Sequence, residues 1–380
     1  MTADVLDAPF GALSLSRPGG GPSLRAWDAA DELLLQEVCG RLDTTRKPKV
    51  LVVDDQFGAL TLGLQSFAPD VVADSALLAG ALEHNMAGSP AGAGDIQVHS
   101  WRNPPSGPYD AVVLRIPRQA DYLAWLLRWV NGVLAPEGLL LAGGMIKHLP
   151  DRSVDVFAGL VVTETVTPAR KKARVVICRA GAEGLDGWGD AWKGYSLDGV
   201  GKIQALPAVF SRDKLDIGTR LFLPHVQGAV SGLASGARVL DLACGNGVVG
   251  ACVLARRQDL ELTCADVSSQ AIISARHNVT GNFPEARVYC MHADGIPEST
   301  GQFERILLNP PFHEGGVVGD HIALRLFRQA ADHLLPGGRL LVVGNRHLGY
   351  HRSLRRYFSG VRQLDASPKF VVLEAGQGNQ

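Results

Sequence analysis

Residues 238–250 read RVLDLACGNGVVG. Val239, Leu240 and Leu242 make a short apolar run around Asp241, which breaks on Cys244-Gly245-Asn246-Gly247 before a helical pattern, VVGACVLARR, begins. Strand, glycine turn and helix in that order open an α/β unit with a parallel sheet. Glycines let the backbone turn tightly and approach a ligand with no Cβ in the way. Gly245, Gly247 and Gly250 have GxGxxG spacing, so a dinucleotide is one ligand to weigh. Asp241, ahead of the first glycine, suits a ligand with a cationic amino group better than a pyrophosphate. Asp266 ends the next strand, ELTCAD, about twenty residues on, where a ribose-hydroxyl acceptor belongs. Asp294, in HADG after the strand that follows, is either an acceptor for an adenine amino group or an ordinary Asp-Gly turn acid.

Outward from this loop, strand and helix patterns alternate. SSQAIISARHNVTG has a Ser cap, helical periodicity and a terminal Gly; YCMHADG and RILLNPPF read as strands. A helix is expected over Ile322–Leu335, then a Pro-Gly-Gly turn into GRLLVVGN. The first half repeats this grammar: KVLVVDDQFGAL lines up with RVLDLACGNGVV, YDAVVLRIP with FERILLNPP, and LAWLLRWVNGVLAPEGLLLAGG with ALRLFRQAADHLLPGGRLLVVG. The expectation is two tandem α/β domains, residues 1–185 and 186–380, divided in the Gly-rich segment Gly181–Asp190. The copies differ where chemistry would sit. Asp241 aligns with Val52, Gly245 with Gln56, and Asn309-Pro310-Pro311 with Arg115-Ile116-Pro117. One working site is expected, in the second half.

A chain of 380 residues exceeds one typical core, and 46% apolar with 20% charged residues is a soluble globular composition. The start, MTADVLDAPFGALSLS, carries acids where a signal peptide needs basic residues. Apolar runs such as Val154–Val162 fall far short of the ~20 residues that span a bilayer. A cytoplasmic protein without a membrane partner is expected. Six cysteines show no CxxC spacing and eleven histidines no HExxH, so no metal is expected; His347 and His351, among arginines, read as basic surface. Net charge is −1, but residues 1–190 hold 17 Lys and Arg against 22 Asp and Glu, and residues 191–380 hold 20 against 16. Two basic patches stand out: Arg170, Lys171, Lys172 and Arg174, and the cluster with Arg346, Arg352, Arg355 and Arg356. Either is a phosphate-contacting surface or an ordinary solvated face.

A second stretch, Asn309-Pro310-Pro311-Phe312, ends an apolar strand with one amide, two stiff residues and a ring. The prolines hold the backbone extended, so the Asn309 amide and Pro310 carbonyl project in fixed directions. Together they can accept both hydrogens of a planar –NH₂ group while Phe312 offers a stacking face. A conjugated amine is a poor nucleophile, so orienting it is catalysis by positioning and electrostatics. The bland alternative is an Asn turn cap.

D-x-A/G-C-G-x-G resembles motif I of class I S-adenosylmethionine methyltransferases, and N-P-P-[FY] resembles the amino-methyltransferases of DNA adenine, protein glutamine and RNA guanine. With VFSRDKLDIGTRLFLPHV (Val209–Val226), GNRHLGYHRSLRRYF and SPKFVVLEA, the set resembles the ribosomal RNA guanine-N2 methyltransferases, over essentially the whole chain, more specifically in the second half. That resemblance implies two tandem class I (Rossmann-like) domains, the first degenerate and devoted to RNA recognition. It implies S-adenosyl-L-methionine as cofactor and ribosomal RNA as partner, the large-subunit (23S) RNA ahead of 16S, and a monomer is expected. Asp241, Gly245 and Gly247 would meet the cofactor's methionine end, Asp266 its ribose and Asp294 its adenine, with Ala243 and Asn246 of the same loop also counted as cofactor-binding. Ala243 departs from the family's usual Gly. Asn309, Pro310 and Phe312 would hold the guanine, and Asp216, Gly218 and Thr219 would form a lid over cofactor or base. A helix cap at Asp216 or Thr219 explains that last segment equally. Glutamine or adenine methylation, or a non-catalytic RNA-binding module, stay open at this point.

Overall fold

The structure, a computed structural model, describes residues 4–18, 24–87, 96–185, 187–311 and 321–377. Two compact units divide the chain, Met1–Ala191 and Trp192–Gln380.

In the second unit, seven strands form one sheet: β1 (Arg238–Leu242), β2 (Glu261–Asp266), β3 (Arg287–His292), β4 (Phe303–Leu308), β5 (Leu334–Asn345), β6 (Gly360–Ala366) and β7 (Phe370–Gly376). Their order is β3-β2-β1-β4-β5-β7-β6. The first five are parallel; β7 pairs antiparallel with β5 and β6. Helices cover both faces, so central strands are apolar throughout rather than alternating. Leu240, Leu242, Ile306 and Leu308 pack on one side, and Val239, Leu307, Leu341 and Val343 on the other. Among the described residues the unit has five α-helices: α1 (Ile217–Ser231), α2 (Val248–Arg256), α3 (Ser269–Asn282), α4 (His321–Asp332) and α5 (Tyr350–Leu354). Ser268 caps α3 by accepting from the Ala271 N–H.

The expected Pro-Gly-Gly turn lies inside a continuous strand. β5 starts at Leu334, opposite Phe303, and resumes pairing at Arg339, opposite Arg305, so Leu335–Gly338 bulge out of the ladder.

The first unit has the same strand order: Val98–His99, Asp70–Val72, Val50–Val53, Tyr109–Arg115, Leu134–Met145, Ala173–Arg179 and Val162–Val166. The tandem α/β expectation therefore describes the observed architecture, down to the bulge, here between Leu134 and Leu139. Among the described residues no helix is long and apolar enough to cross a membrane.

Candidate active site

β1 is flanked by β2 and β4, with Leu242 beside both Ala265 and Leu308. The next residues of the three strands, Ala243, Asp266 and Asn309, therefore converge at the carboxyl edge of the sheet. Strand order reverses there, which is where open α/β sheets bind ligands. A cavity of about 400 Å³ opens at that edge, the size of a small-molecule site.

Ala243, Gly245 and Gly247 all take left-handed backbone, with φ of 57°, 54° and 76°. Gly245 lines the cavity and no atom lies within 4 Å of where a Cβ would stand. Gly247 and Gly218, both assigned to the cofactor from sequence, do not line the cavity. A Cβ on Gly247 would come 2.8 Å from Ala275 Cα, and one on Gly218 2.9 Å from Phe370 Cε1. Their smallness packs α2 on α3 and the start of α1 on β7.

Asp241 is buried and its Oδ2 accepts from the Gly250 N–H at 2.8 Å. Burial pushes its carboxyl up to about 7; the Gly250 N–H opposes this and the Asp266 charge adds to it. Asp266 accepts from the Gly245 N–H at 2.8 Å and the Ser268 N–H at 2.9 Å, tying the turn to the head of α3. Asn246 is a brace: its Nδ2 donates to Tyr195 and the Ser211 carbonyl, each at 3.4 Å, and its Oδ1 accepts from the Val248 N–H. Asp294 lines the cavity, but Arg325 grips both its carboxylate oxygens at 2.5 and 2.6 Å. It is a positioned ion pair rather than an open acceptor.

Asn309 stands one residue past β4, where Pro310 ends the ladder. Its Nδ2 donates to Thr219 Oγ1 at 3.0 Å. Its Oδ1 is buried and has no hydrogen-bond partner among the described residues, a costly condition for an amide oxygen unless a ligand completes it. Asp216 caps α1, accepting from the Thr219 N–H at 2.9 Å. The helix-cap reading of this segment is what the geometry shows, and Asp216 and Thr219 also line the cavity. Phe312 and His313 lie outside the described residues.

Several contributors escaped the sequence reading. Phe210 lines the cavity while 65% exposed, at its mouth. Arg325, on α4, completes the Asp294 pair. Only for Phe210 did a signal exist: a ring in a polar, non-periodic segment just ahead of the fold.

The basic residues lie at the surface. Arg170 and Ala173 exchange backbone hydrogen bonds around a two-residue turn, Lys171 and Lys172, both left-handed with φ of 47° and 64°. Arg170 also donates to Gln36, and Lys171 pairs with Glu32 at 2.6 Å. Arg174 is exposed beside them. Arg346, Arg352, Arg355 and Arg356 are exposed around α5, which leaves the same carboxyl edge of the sheet as the cavity.

The chain is 39% identical over 377 residues to "Ribosomal RNA large subunit methyltransferase G" of Pseudomonas aeruginosa (strain UCBPP-PA14), covering 97% of this chain and 98% of that one. It belongs to the ribosomal RNA large subunit methyltransferase G family. The relative of that name from Alcanivorax borkumensis is 38% identical over 96% of this chain and 95% of its own. Two family profiles match: "RLMG N-terminal domain" over residues 3–182 and "Methyltransferase small domain" over residues 201–374. Within this methyltransferase G family member, the cavity and Asn309 fall in the second match. Among solved structures, the Thermus thermophilus 16S rRNA N2 G1207 methyltransferase, described in complex with AdoMet and guanosine, shares the fold with a TM-score of 0.78, covering 99% of this chain and 98% of that one at 22% identity.

Proposed function

We propose that this protein transfers a methyl group from S-adenosyl-L-methionine to the exocyclic N2 amine of a guanine in 23S ribosomal RNA, in the cytoplasm. The observation that carries the reading is the buried Asn309 Oδ1, without a hydrogen-bond partner among the described residues, beside the acid-and-glycine turn.

The residues present fit the cofactor. Asp241 is a carboxyl raised by burial, which a cationic methionine end would stabilise in its charged form. Gly245 leaves open space for a ligand, and Asp266 lies at the strand end suited to a ribose. When bound, the cofactor supplies a methyl on a sulfonium, an electrophile strong enough that its partner needs orientation more than activation. Asn309 Oδ1 accepts one hydrogen of the guanine amine and the Pro310 carbonyl accepts the other, turning the nitrogen lone pair toward the methyl. The nitrogen's proton becomes acidic as the new bond forms and passes to water, so no strong base is required. The guanine must leave its stack to enter, and Phe312 and Phe210 are the rings that offset this cost.

The first domain, which we place at residues 1–185 within the unit Met1–Ala191, serves RNA recognition. Its counterpart of Asn309 is Arg115, buried and paired bidentately with Asp28 at 2.9 and 3.0 Å, which fills the position with an internal ion pair. Arg170, Lys171, Lys172, Arg174 and the Arg346, Arg352, Arg355, Arg356 cluster supply phosphate contacts. In this reading the protein acts as a monomer.

Labelled S-adenosylmethionine offered with unmodified 23S and 16S rRNA separately, followed by digestion to nucleosides, tests this. Label in N2-methylguanosine from 23S RNA, lost in Asn309→Ala with cofactor binding kept, is the expected result. Label from 16S RNA alone would move the substrate to the small subunit, and methyladenosine would overturn the guanine assignment.

A further inference from the structure

Asparagine amides are nearly symmetric in shape, and a flipped amide would present hydrogens instead of an oxygen to the substrate amine. Something must hold Asn309 the right way round. The Asp216 carboxylate can only accept hydrogen bonds. It accepts from the Thr219 N–H at 2.9 Å and faces Thr219 Oγ1 at 3.4 Å. The hydroxyl hydrogen of Thr219 is therefore directed to Asp216, leaving Oγ1 a lone pair for its other neighbour. That neighbour is Asn309, whose Nδ2 lies 3.0 Å away. With the amine side of the amide committed to Thr219, Oδ1 is left buried at the cavity wall without a partner among the described residues. Flipping the amide would set Oδ1 against an oxygen whose hydrogen is already spent.

We infer that Thr219 is a positioning residue that fixes the orientation of the Asn309 amide, with Asp216 setting the polarity of the Thr219 hydroxyl. This rests on the guanine-N2 reading above. Thr219 is 5% exposed and β-branched, so its rotamer, and with it the position of Oγ1, is held by packing. Gly218 contributes by its smallness: a Cβ there would stand 3.0 Å from Asp216 Oδ2 and crowd the cap.

The test compares full-length wild type, Thr219→Val, which keeps shape and removes the hydroxyl, and Thr219→Ser, which restores it. Thr219→Val should lower kcat by about 10- to 100-fold, the scale of a misplaced reacting group, with KM for RNA and cofactor affinity within about threefold. Thr219→Ser should recover most of the loss. A second readout needs no turnover: affinity for an RNA fragment carrying guanosine against one carrying inosine, which lacks the 2-amine, at the target. Wild type should prefer guanosine by about three- to tenfold, the worth of one hydrogen bond, and Thr219→Val should lose that preference. Thr219→Val with wild-type kcat and preference overturns the positioning role, provided Asn309→Ala abolishes transfer in the same assay. If Asn309→Ala transfers normally, the fault lies with the guanine-N2 reading itself. Equal losses in the Val and Ser variants also overturn the proposal, since packing and not the hydroxyl would then matter.

Discussion

Asp54 and Ala243 occupy the same step of the two sheets, each one residue beyond its strand, with φ of 55° and 57°. The backbone has kept one turn while the chemistry has diverged. Asp54 accepts from the Tyr122 hydroxyl at 2.7 Å and the Asp74 N–H at 2.9 Å, closing the first unit's turn on itself. Ala243 lines the second unit's cavity and commits no side chain. A left-handed conformation costs a residue with a Cβ about 1 kcal/mol. Ala243→Gly should therefore raise stability by up to about 1 kcal/mol and leave cofactor affinity nearly unchanged. A thermal melt with and without S-adenosylmethionine checks both.

Asp241 gives the site a pH dependence. Burial holds its carboxyl near 7 in the free protein, against an ordinary value of 3.8. Between these values the folded chain keeps a proton that the unfolded chain has lost, so this group's contribution to stability falls as pH rises through the window. A cationic ligand needs the ionised form, so binding must release that proton. Affinity should weaken by about tenfold per pH unit below 7, while Asp241→Asn binds weakly with a flat profile. Calorimetric titrations from pH 5 to 7 in two buffers of different ionisation heat would count the proton directly. A pH-independent affinity would remove Asp241 from contact with the cation.

The Lys171-Lys172 turn holds two side-chain-bearing residues in left-handed backbone, a place where Asn-Gly is usual. The fold gains nothing in stability from that choice. Lys171→Asn with Lys172→Gly should stabilise the protein by about 1–2 kcal/mol while weakening RNA binding. The slope of log affinity against log salt should drop by about one to two units. Higher stability with unchanged affinity and slope would make the turn a solvated feature only.

Phe210 lines the cavity with most of its ring in solvent. Phe210→Ala should raise KM for RNA by about fivefold or more, the worth of one stacked base, with the melting temperature nearly unchanged because little buried surface is lost. Phe210→Trp should restore binding. An unaltered KM in the alanine variant would exclude the ring from substrate contact.

Asp294 and Arg325 make a paired charge at the cavity wall. Removing Asp294 leaves Arg325 without its bidentate partner beside the ligand. Asp294→Ala should weaken S-adenosylmethionine binding more than Arg325→Ala with Asp294→Ala together, because the double variant removes the stranded charge. A double-mutant cycle on cofactor affinity reads this directly; strict additivity would mean the pair acts on neither ligand nor wall.

The sequence by itself determined the tandem α/β plan, the turn at Asp241–Gly247 and the strand ending at Asn309. These features are local: apolar runs, glycine turns and a proline stop each act within a few residues, and the internal repeat makes each half a check on the other. Tertiary structure alone decided which glycines face the cavity. Gly245 and Gly247 are two residues apart in one turn, yet one opens on the cavity and the other on Ala275, because α2 must pack against α3. It decided that Asp294 is already held by Arg325. And it decided that Thr219 reaches Asn309, 90 residues away in the chain. That contact depends on how the head of α1 sits over the end of β4, which strand register and helix packing fix together and no local pattern records.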